Sequence, residues 1–305
     1  MNTHSRNRST PLALIAAMLA AAGLQAADDW SAKAPAPVTN PVFFEEPFIR
    51  SEARPLFIYQ NLGSKLPAGA GYLPVGGNLQ VYALQLRWAV TDRLAIIATK
   101  DGYVDFKPKN ALAGSKGSGW ADISLGLKYA LIDDKANEFI LTPGIEVELP
   151  TGSRDVFQGN GSGEWDVFVA AAKGWGNLTL MGNVGTRVPN NMARDTAQLH
   201  YSVQLAHHTS RYFIPFIAAN GFSVLNSGTQ AGLGGLAGVP FGFEGYDLIN
   251  FGSRAAAGST QISAGTGFRS KLHDRVELGF AYERSLTNPR GVLDDRFTVD
   301  FVLRF

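Results

Sequence analysis

The chain ends in R-F-T-V-D-F-V-L-R-F, Arg296–Phe305. In an extended strand, side chains alternate between two faces. Phe297, Val299, Phe301, Leu303 and Phe305 therefore share one face, and Thr298, Asp300, Val302 and Arg304 the other. A terminal strand with an unbroken apolar face needs a cover for that face and a partner for its edge. Lipid supplies the first, and pairing with the first strand of a closed barrel supplies the second. In hydrocarbon, open edges are excluded because unsatisfied backbone groups are costly.

Working back from this strand, comparable runs recur at Leu56–Leu62, Leu79–Val90, Leu94–Phe106, Trp120–Leu131, Glu138–Leu149 and Glu164–Trp175. Others follow at Leu178–Val188, Gln198–His208, Phe213–Leu225, Thr260–Lys271 and Val276–Leu286. With the terminal strand these make about 12 strands, most of them close to the roughly 9–11 residues that a tilted strand needs to cross a bilayer. Short links such as Thr91-Asp92-Arg93 and Gly176-Asn177 alternate with long ones such as Pro150–Gly163 and Asn226–Ser259. Short periplasmic turns and longer outer loops are the pattern of transmembrane barrels. The expected fold is all-β, an antiparallel up-and-down transmembrane barrel over residues 55–305. Trp88, Tyr129, Trp175, Tyr282 and Phe305 lie near strand ends, where aromatic girdles form.

Residues 1–26 read as a secretory signal peptide. Arg6 and Arg8 precede the apolar run Leu12 to Leu24, and Ala26 offers a small residue for cleavage. Residues 27–54, rich in Ala, Pro and acidic residues, read as a partly disordered periplasmic segment. The address implied is the outer membrane of a Gram-negative cell, with its lipid as a partner.

There are no cysteines, which excludes disulfides, thiol nucleophiles and a lipoprotein anchor. Removing Arg6 and Arg8 with the leader leaves 25 Lys+Arg against 26 Asp+Glu, and this balance does not suit a nucleic-acid partner. No cofactor is implied. His207 and His208 point to opposite faces of one strand end, so no metal site is expected.

With the apolar faces turned to lipid, the lumen is expected to carry Arg87, Asp101, Asp105, Asp122, Lys128, Glu146, Glu148 and Asp166. Arg187, His200, Arg269, Glu277, Glu283, Asp300 and Arg304 complete the set. Two readings follow: a polar channel for small solutes, or a lumen filled by its own long side chains.

Two resemblances bear on function. The terminal strand resembles the assembly signal of bacterial outer-membrane proteins, with Phe297, Val299, Phe301, Leu303 and Phe305 as its pattern. It implies the barrel-assembly machinery as a partner. The segments G-S-G-W-A-D-I-S-L-G-L-K-Y (Gly117–Tyr129), E-L-P-T-G-S (Glu148–Ser153) and G-N-G-S-G-E-W-D-V-F (Gly159–Phe168) are similar to the transporter family named for the meta-pathway of phenol degradation. That resemblance implies a barrel passing small molecules, hydrophobic or aromatic ones among them, and implies no binding residues.

An enzyme is the third alternative, after a structural or adhesion barrel acting through its outer loops. His200 and Ser202 lie on one strand face, and the turn Thr209–Tyr212 sets His200 opposite Gly221, beside Asn220. A Ser, His and Asn on adjacent strands resembles outer-membrane phospholipase A. However, His200 and Ser202 are expected to face the lumen, away from lipid, and Asn220 the opposite way. No catalytic residue is assigned.

Overall fold

The computed structural model describes residues 30–159, 161–229, 242–287 and 292–305. The signal-peptide residues 1–26 therefore lie outside the described residues. The chain forms a closed antiparallel barrel of 12 strands. These are β1 (Glu52–Asn61), β2 (Gly77–Ala89), β3 (Leu94–Ala98, resuming as Tyr103–Pro108), β4 (Gly117–Trp120, resuming as Ile123–Tyr129), β5 (Phe139–Leu149) and β6 (Glu164–Trp175). Then come β7 (Leu178–Pro189), β8 (Ala197–His207), β9 (Ile214–Asn226), β10 (Thr260–His273), β11 (Val276–Ser285) and β12 (Asp295–Arg304). Each strand pairs with its chain neighbour. β12 closes on β1 with Phe57 opposite Val299 and Glu52 opposite Arg304.

The alternation read in the sequence becomes an outer and an inner wall. Leu84, Leu86, Trp88, Leu125, Leu127, Val203 and Phe301 are exposed on the outside. Alternate residues such as Gln85, Arg87, Lys128 and Asp300 are buried inside. The short links gather at the rim that holds Phe305, whose N–H donates to Ser51 O. The tightest link is Gly176-Asn177, where Gly176 has φ 65° at the first central position of a two-residue hairpin. The long loops lie at the other rim. One of them carries a small hairpin, Lys65–Ala68 against Gly71–Pro74.

β3 is not the single run expected. Its ladder to β2 stops at Leu86–Ala98 and resumes at Tyr82–Tyr103. Ala83 to Gln85 thus face the four residues Thr99 to Gly102, and the extra residue reverses the inside–outside parity. Asp105, expected in the lumen, shares the outer face with Tyr103 and Lys107, and its carboxylate pairs with Lys107 Nζ.

The segment expected to be a partly disordered periplasmic lead-in also differs in its described part, from residue 30 on. Residues 34–41 and 43–48 are buried, the segment enters the barrel at the Phe305 rim, turns at Asn40 (φ 45°) and returns to β1. The barrel strand then starts at Glu52 instead of residue 55. The segment carries Pro35, Pro37, Pro41 and Pro47, each without an N–H, so it cannot extend a sheet ladder and is rich in carbonyl acceptors. The barrel wall supplies the matching donors.

Candidate functional site

The lumen is built from three bodies: the barrel wall, the inserted residues 30–51 and the outer loop after β9. Inward-pointing donors reach the carbonyls of the inserted segment. Arg269 Nε donates to Ala36 O at 3.0 Å, Arg54 Nη2 to Pro37 O at 2.5 Å and Gln85 Nε2 to Pro41 O at 2.6 Å. Lys128 Nζ donates to Glu46 O at 2.8 Å, and Thr142 Oγ1 to Pro47 O at 2.6 Å. Inward glycines make the room. A Cβ on Gly279 would stand 2.9 Å from Val38 Cγ2, and one on Gly265 would stand 2.6 Å from Thr39 Cγ2.

Charges of the lower wall form a continuous arc. Asp300 pairs with Arg54 and with Arg269 Nη1 at 2.9 Å, and Glu277 pairs with Arg269 at 3.6 Å and with Arg304. Glu52 links Arg304 at 3.5 Å to Arg87 at 3.4 Å, and Glu45 of the inserted segment ends the arc on Arg87 and Lys128. A buried charge is tolerated when it is paired and hydrogen-bonded. Alternating charges around the arc meet that condition for Arg54, Arg87, Lys128, Arg269, Glu277 and Asp300.

Above the inserted segment, the described part of the loop after β9 folds inward. Phe243, Tyr246, Leu248, Ile249 and Phe251 are buried. Arg187 donates to Tyr246 O and pairs with Glu164, and its guanidinium lies 4.6 Å from the Phe43 ring centroid. Asp247 is 2.5 Å from Arg296, and Gln158 Nε2 donates to Leu248 O at 2.8 Å. Glu244 is fully buried and accepts from Thr196 Oγ1 at 3.2 Å and from the N–H groups of Gly245, Phe251 and Ser253. Burial pushes its pKa up, as it does for Asp195 in the neighbouring loop, and pushes Tyr246 up to about 12.

Between these bodies lies a cavity of about 450 Å³, counting its open mouth. Leu56, Ile58, Leu79, Val81 and Val104 of the wall, Val42 of the inserted segment, and Leu248 and Ile249 of the loop make it apolar. Gln85, Thr99, Lys100 and Asp101 form a polar end. Thr99 and Lys100 also line a smaller neighbouring cavity with Ser124, Glu146, Glu148, Glu164 and Asp166. Lys100 Nζ sits 2.5 Å from Glu148 Oε1. Thr99 and Ser124 both donate to Glu146 Oε2, at 2.6 and 2.9 Å. An apolar chamber thus abuts an acidic one.

Of the residues picked from sequence, Arg87, Lys128, Glu146, Glu148, Asp166, Arg187, His200, Arg269, Glu277, Glu283, Asp300 and Arg304 stand on the inner wall. Asp122 is buried and accepts from Gly152 N and Gly159 N, which pins an outer loop to the wall. Asp101 is half-buried in the interruption of β3, its Oδ1 accepting from Leu84 N at 2.9 Å. Sequence reasoning passed over Lys100, Glu45, Arg54 and Arg296. Arg296 shares parity with Asp300, and Glu52 and Arg54 extend the alternation of β1, so those positions were within reach. Lys100 lies in the interruption, which alternation does not reveal.

The expected register between β8 and β9 was one residue off. His200 faces Phe222, and Ser202 faces Asn220, which is buried on the inner wall. The ladder's spacing differs by one residue from that of the Ser210–Phe213 bridge in the turn, which reverses the parity assigned to Asn220. The three side chains nonetheless have separate partners. His200 Nε2 meets Asp166 Oδ1 at 2.8 Å, Ser202 Oγ accepts from Asn40 Nδ2 at 3.1 Å, and Asn220 Nδ2 donates to Glu283 Oε1 at 2.9 Å.

An outer membrane channel from Pseudomonas putida F1, of the group COG4313, shares the fold with a TM-score of 0.55 at 15% identity, over 86% of this chain and 98% of that one. The translocator domain of autotransporter NalP from Neisseria meningitidis matches at TM-score 0.48 and 12% identity, over 83% and 89%. The NanC porin matches at TM-score 0.47 and 8% identity, over 84% and 100%. No curated protein matches the sequence. The family model described as "Putative MetA-pathway of phenol degradation" matches residues 68–248. That stretch is more than half of the chain, and the protein belongs to this family.

Proposed function

We propose that the protein is an outer-membrane route for small molecules, with a preference for those with an apolar body. Membrane lipid surrounds the barrel, and the signal peptide and terminal Phe305 pattern deliver it to the assembly machinery. The observation that carries this reading is the apolar chamber between β1–β4, Val42 and Leu248–Ile249, closed at one end by hydrogen-bonding groups. Ligand sites are lined in this way, mostly by apolar side chains with a few placed polar groups that fix orientation. The second reading is a barrel with a blocked lumen acting through its outer loops, favoured by the burial of residues 34–41 and 43–48 inside the wall.

Proteoliposomes test the choice. Entry of an uncharged aromatic such as naphthalene, faster than into protein-free vesicles, supports the route. Equal rates for apolar and hydrophilic probes with and without protein would leave the blocked barrel.

A further inference from the structure

The wall is interrupted at one height in two neighbouring strands. β3 breaks between Ala98 and Tyr103, and β4 between Trp120 and Ile123. Two of the bonds holding this region are not ladder bonds: Leu84 N donates to the Asp101 carboxylate at 2.9 Å, and Lys100 N to Ser124 Oγ at 3.1 Å. Ala121 N to Gly102 O at 2.8 Å and Ser124 N to Lys100 O at 2.9 Å complete the closure. Gly102 has φ 114°, and a Cβ there would meet Tyr82 O at 2.5 Å, so its backbone is held close against β2. The side chains at the break are small, Ala83 and Ala121, and both line the apolar chamber. Ala83 points inward yet is partly exposed, whereas its inward neighbours Val81 and Gln85 are 5% and 1% exposed.

An ionisable residue in the middle of a membrane wall is costly and marks function by default. Bulges, in turn, concentrate beside sites where a strand re-aims a side chain. We infer that the break between β2, β3 and β4 is a side port through which small, uncharged, membrane-soluble molecules pass between the lipid and the apolar chamber. Asp101 is its latch. One carboxylate oxygen holds Leu84 N–H, and the other is left for a hydroxyl or amine on the passing molecule. The apolar body then fits against Leu56, Ile58, Val81 and Val104, with Thr99 and Gln85 at the polar end. This inference rests on the chamber being part of a solute route, and it adds that one mouth of the route opens to lipid.

The absence of cysteine makes a direct test available. Ala83→Cys, and Ala121→Cys at the other lip, are placed in proteoliposomes and treated with a pyrene maleimide dissolved in the bilayer or with a sulfonated maleimide in water. Ala206→Cys, inward-facing on β8 and 2% exposed, is the comparison. Thiol labelling follows access, so the lipid-borne reagent is expected to label Ala83→Cys at least about tenfold faster than Ala206→Cys, and Asp101→Ala to raise that rate further. Folding of each variant is checked by its heat-modifiable mobility on gels, and Ala121→Cys replaces Ala83→Cys if the latter misfolds. Labelling of the lip cysteines no faster than Ala206→Cys, or only by the aqueous reagent, overturns the port. Wild-type entry of naphthalene separates the two ideas. Entry without lip labelling sinks the port alone, and absence of entry sinks the route.

Discussion

Glu45, in the irregular stretch that leads into β1, lies 2.6 Å from Lys128 Nζ of β4. The same carboxylate accepts from Arg87 Nε of β2 at 2.9 Å. One residue of the inserted segment thus bridges two cations on different strands, and all three are buried. The inserted segment is therefore an electrostatic part of the wall, as well as an obstruction in it.

Glu45→Gln should leave Arg87 and Lys128 short of a counter-charge. Breaking a buried pair from one side costs about 3–5 kcal/mol. Part of this is relieved by letting residues 30–51 loosen and water enter. The expected outcome is a lower unfolding temperature together with a larger planar-bilayer conductance, and unchanged conductance would show that the segment does not limit the lumen.

The outer loop should pack less firmly as pH rises. Burial raises the pKa of Glu244 above its ordinary 4.5, and that of Asp195 above 3.8. A carboxyl with a raised folded-state pKa contributes stability in full below its unfolded value and loses it as pH climbs through the folded one. Proteolysis at Arg254 by trypsin, or hydrogen exchange across residues 242–259, should increase from pH 4.5 upward. Glu244→Gln should flatten most of that dependence, leaving the share of Asp195.

Gly102→Val is expected to destabilise the barrel. A side chain at φ 114° is strained by about 1–3 kcal/mol, and its Cβ would press on Tyr82 O. Thermal unfolding in detergent reads the effect. Gly76→Val, also at positive φ but with open space around its Cβ, should cost less.

Phe305→Ala should act before folding is complete. Phe305 is 36% exposed on the outer rim, so its loss should cost the finished barrel less than the about 3–5 kcal/mol of a fully buried Phe→Ala. The amount of assembled barrel recovered from membranes should nonetheless fall, while refolding of purified chain from denaturant proceeds normally. Equal recovery of mutant and wild type would remove the assembly role.

Phospholipid hydrolysis is expected from neither wild type nor Ser202→Ala, because Ser202 Oγ accepts from Asn40 Nδ2 and the free ring nitrogen of His200, Nδ1, makes no hydrogen bond to it. Turnover abolished by Ser202→Ala would restore the enzymatic reading.

What the chain alone determined is its alternation and its punctuation. Phe297 to Phe305, Leu84 to Trp88 and Leu125 to Tyr129 show a two-residue period, and loop lengths alternate. Lipid outside and hydrogen bonding between neighbours leave few folds for such a pattern. Tertiary structure decided what fills the cylinder. Pro35 to Phe48 has no period of its own, because its donors, among the described residues, stand on six different strands that meet only when the barrel closes. The same holds for Asp247 on Arg296 and for Leu248 over the chamber. One inserted residue near Gly102 was enough to send Asp105 outward, since parity carries no memory across a bulge. A local pattern can specify a wall, whereas the contents of the lumen depend on contacts that are distant in sequence and gathered by closure.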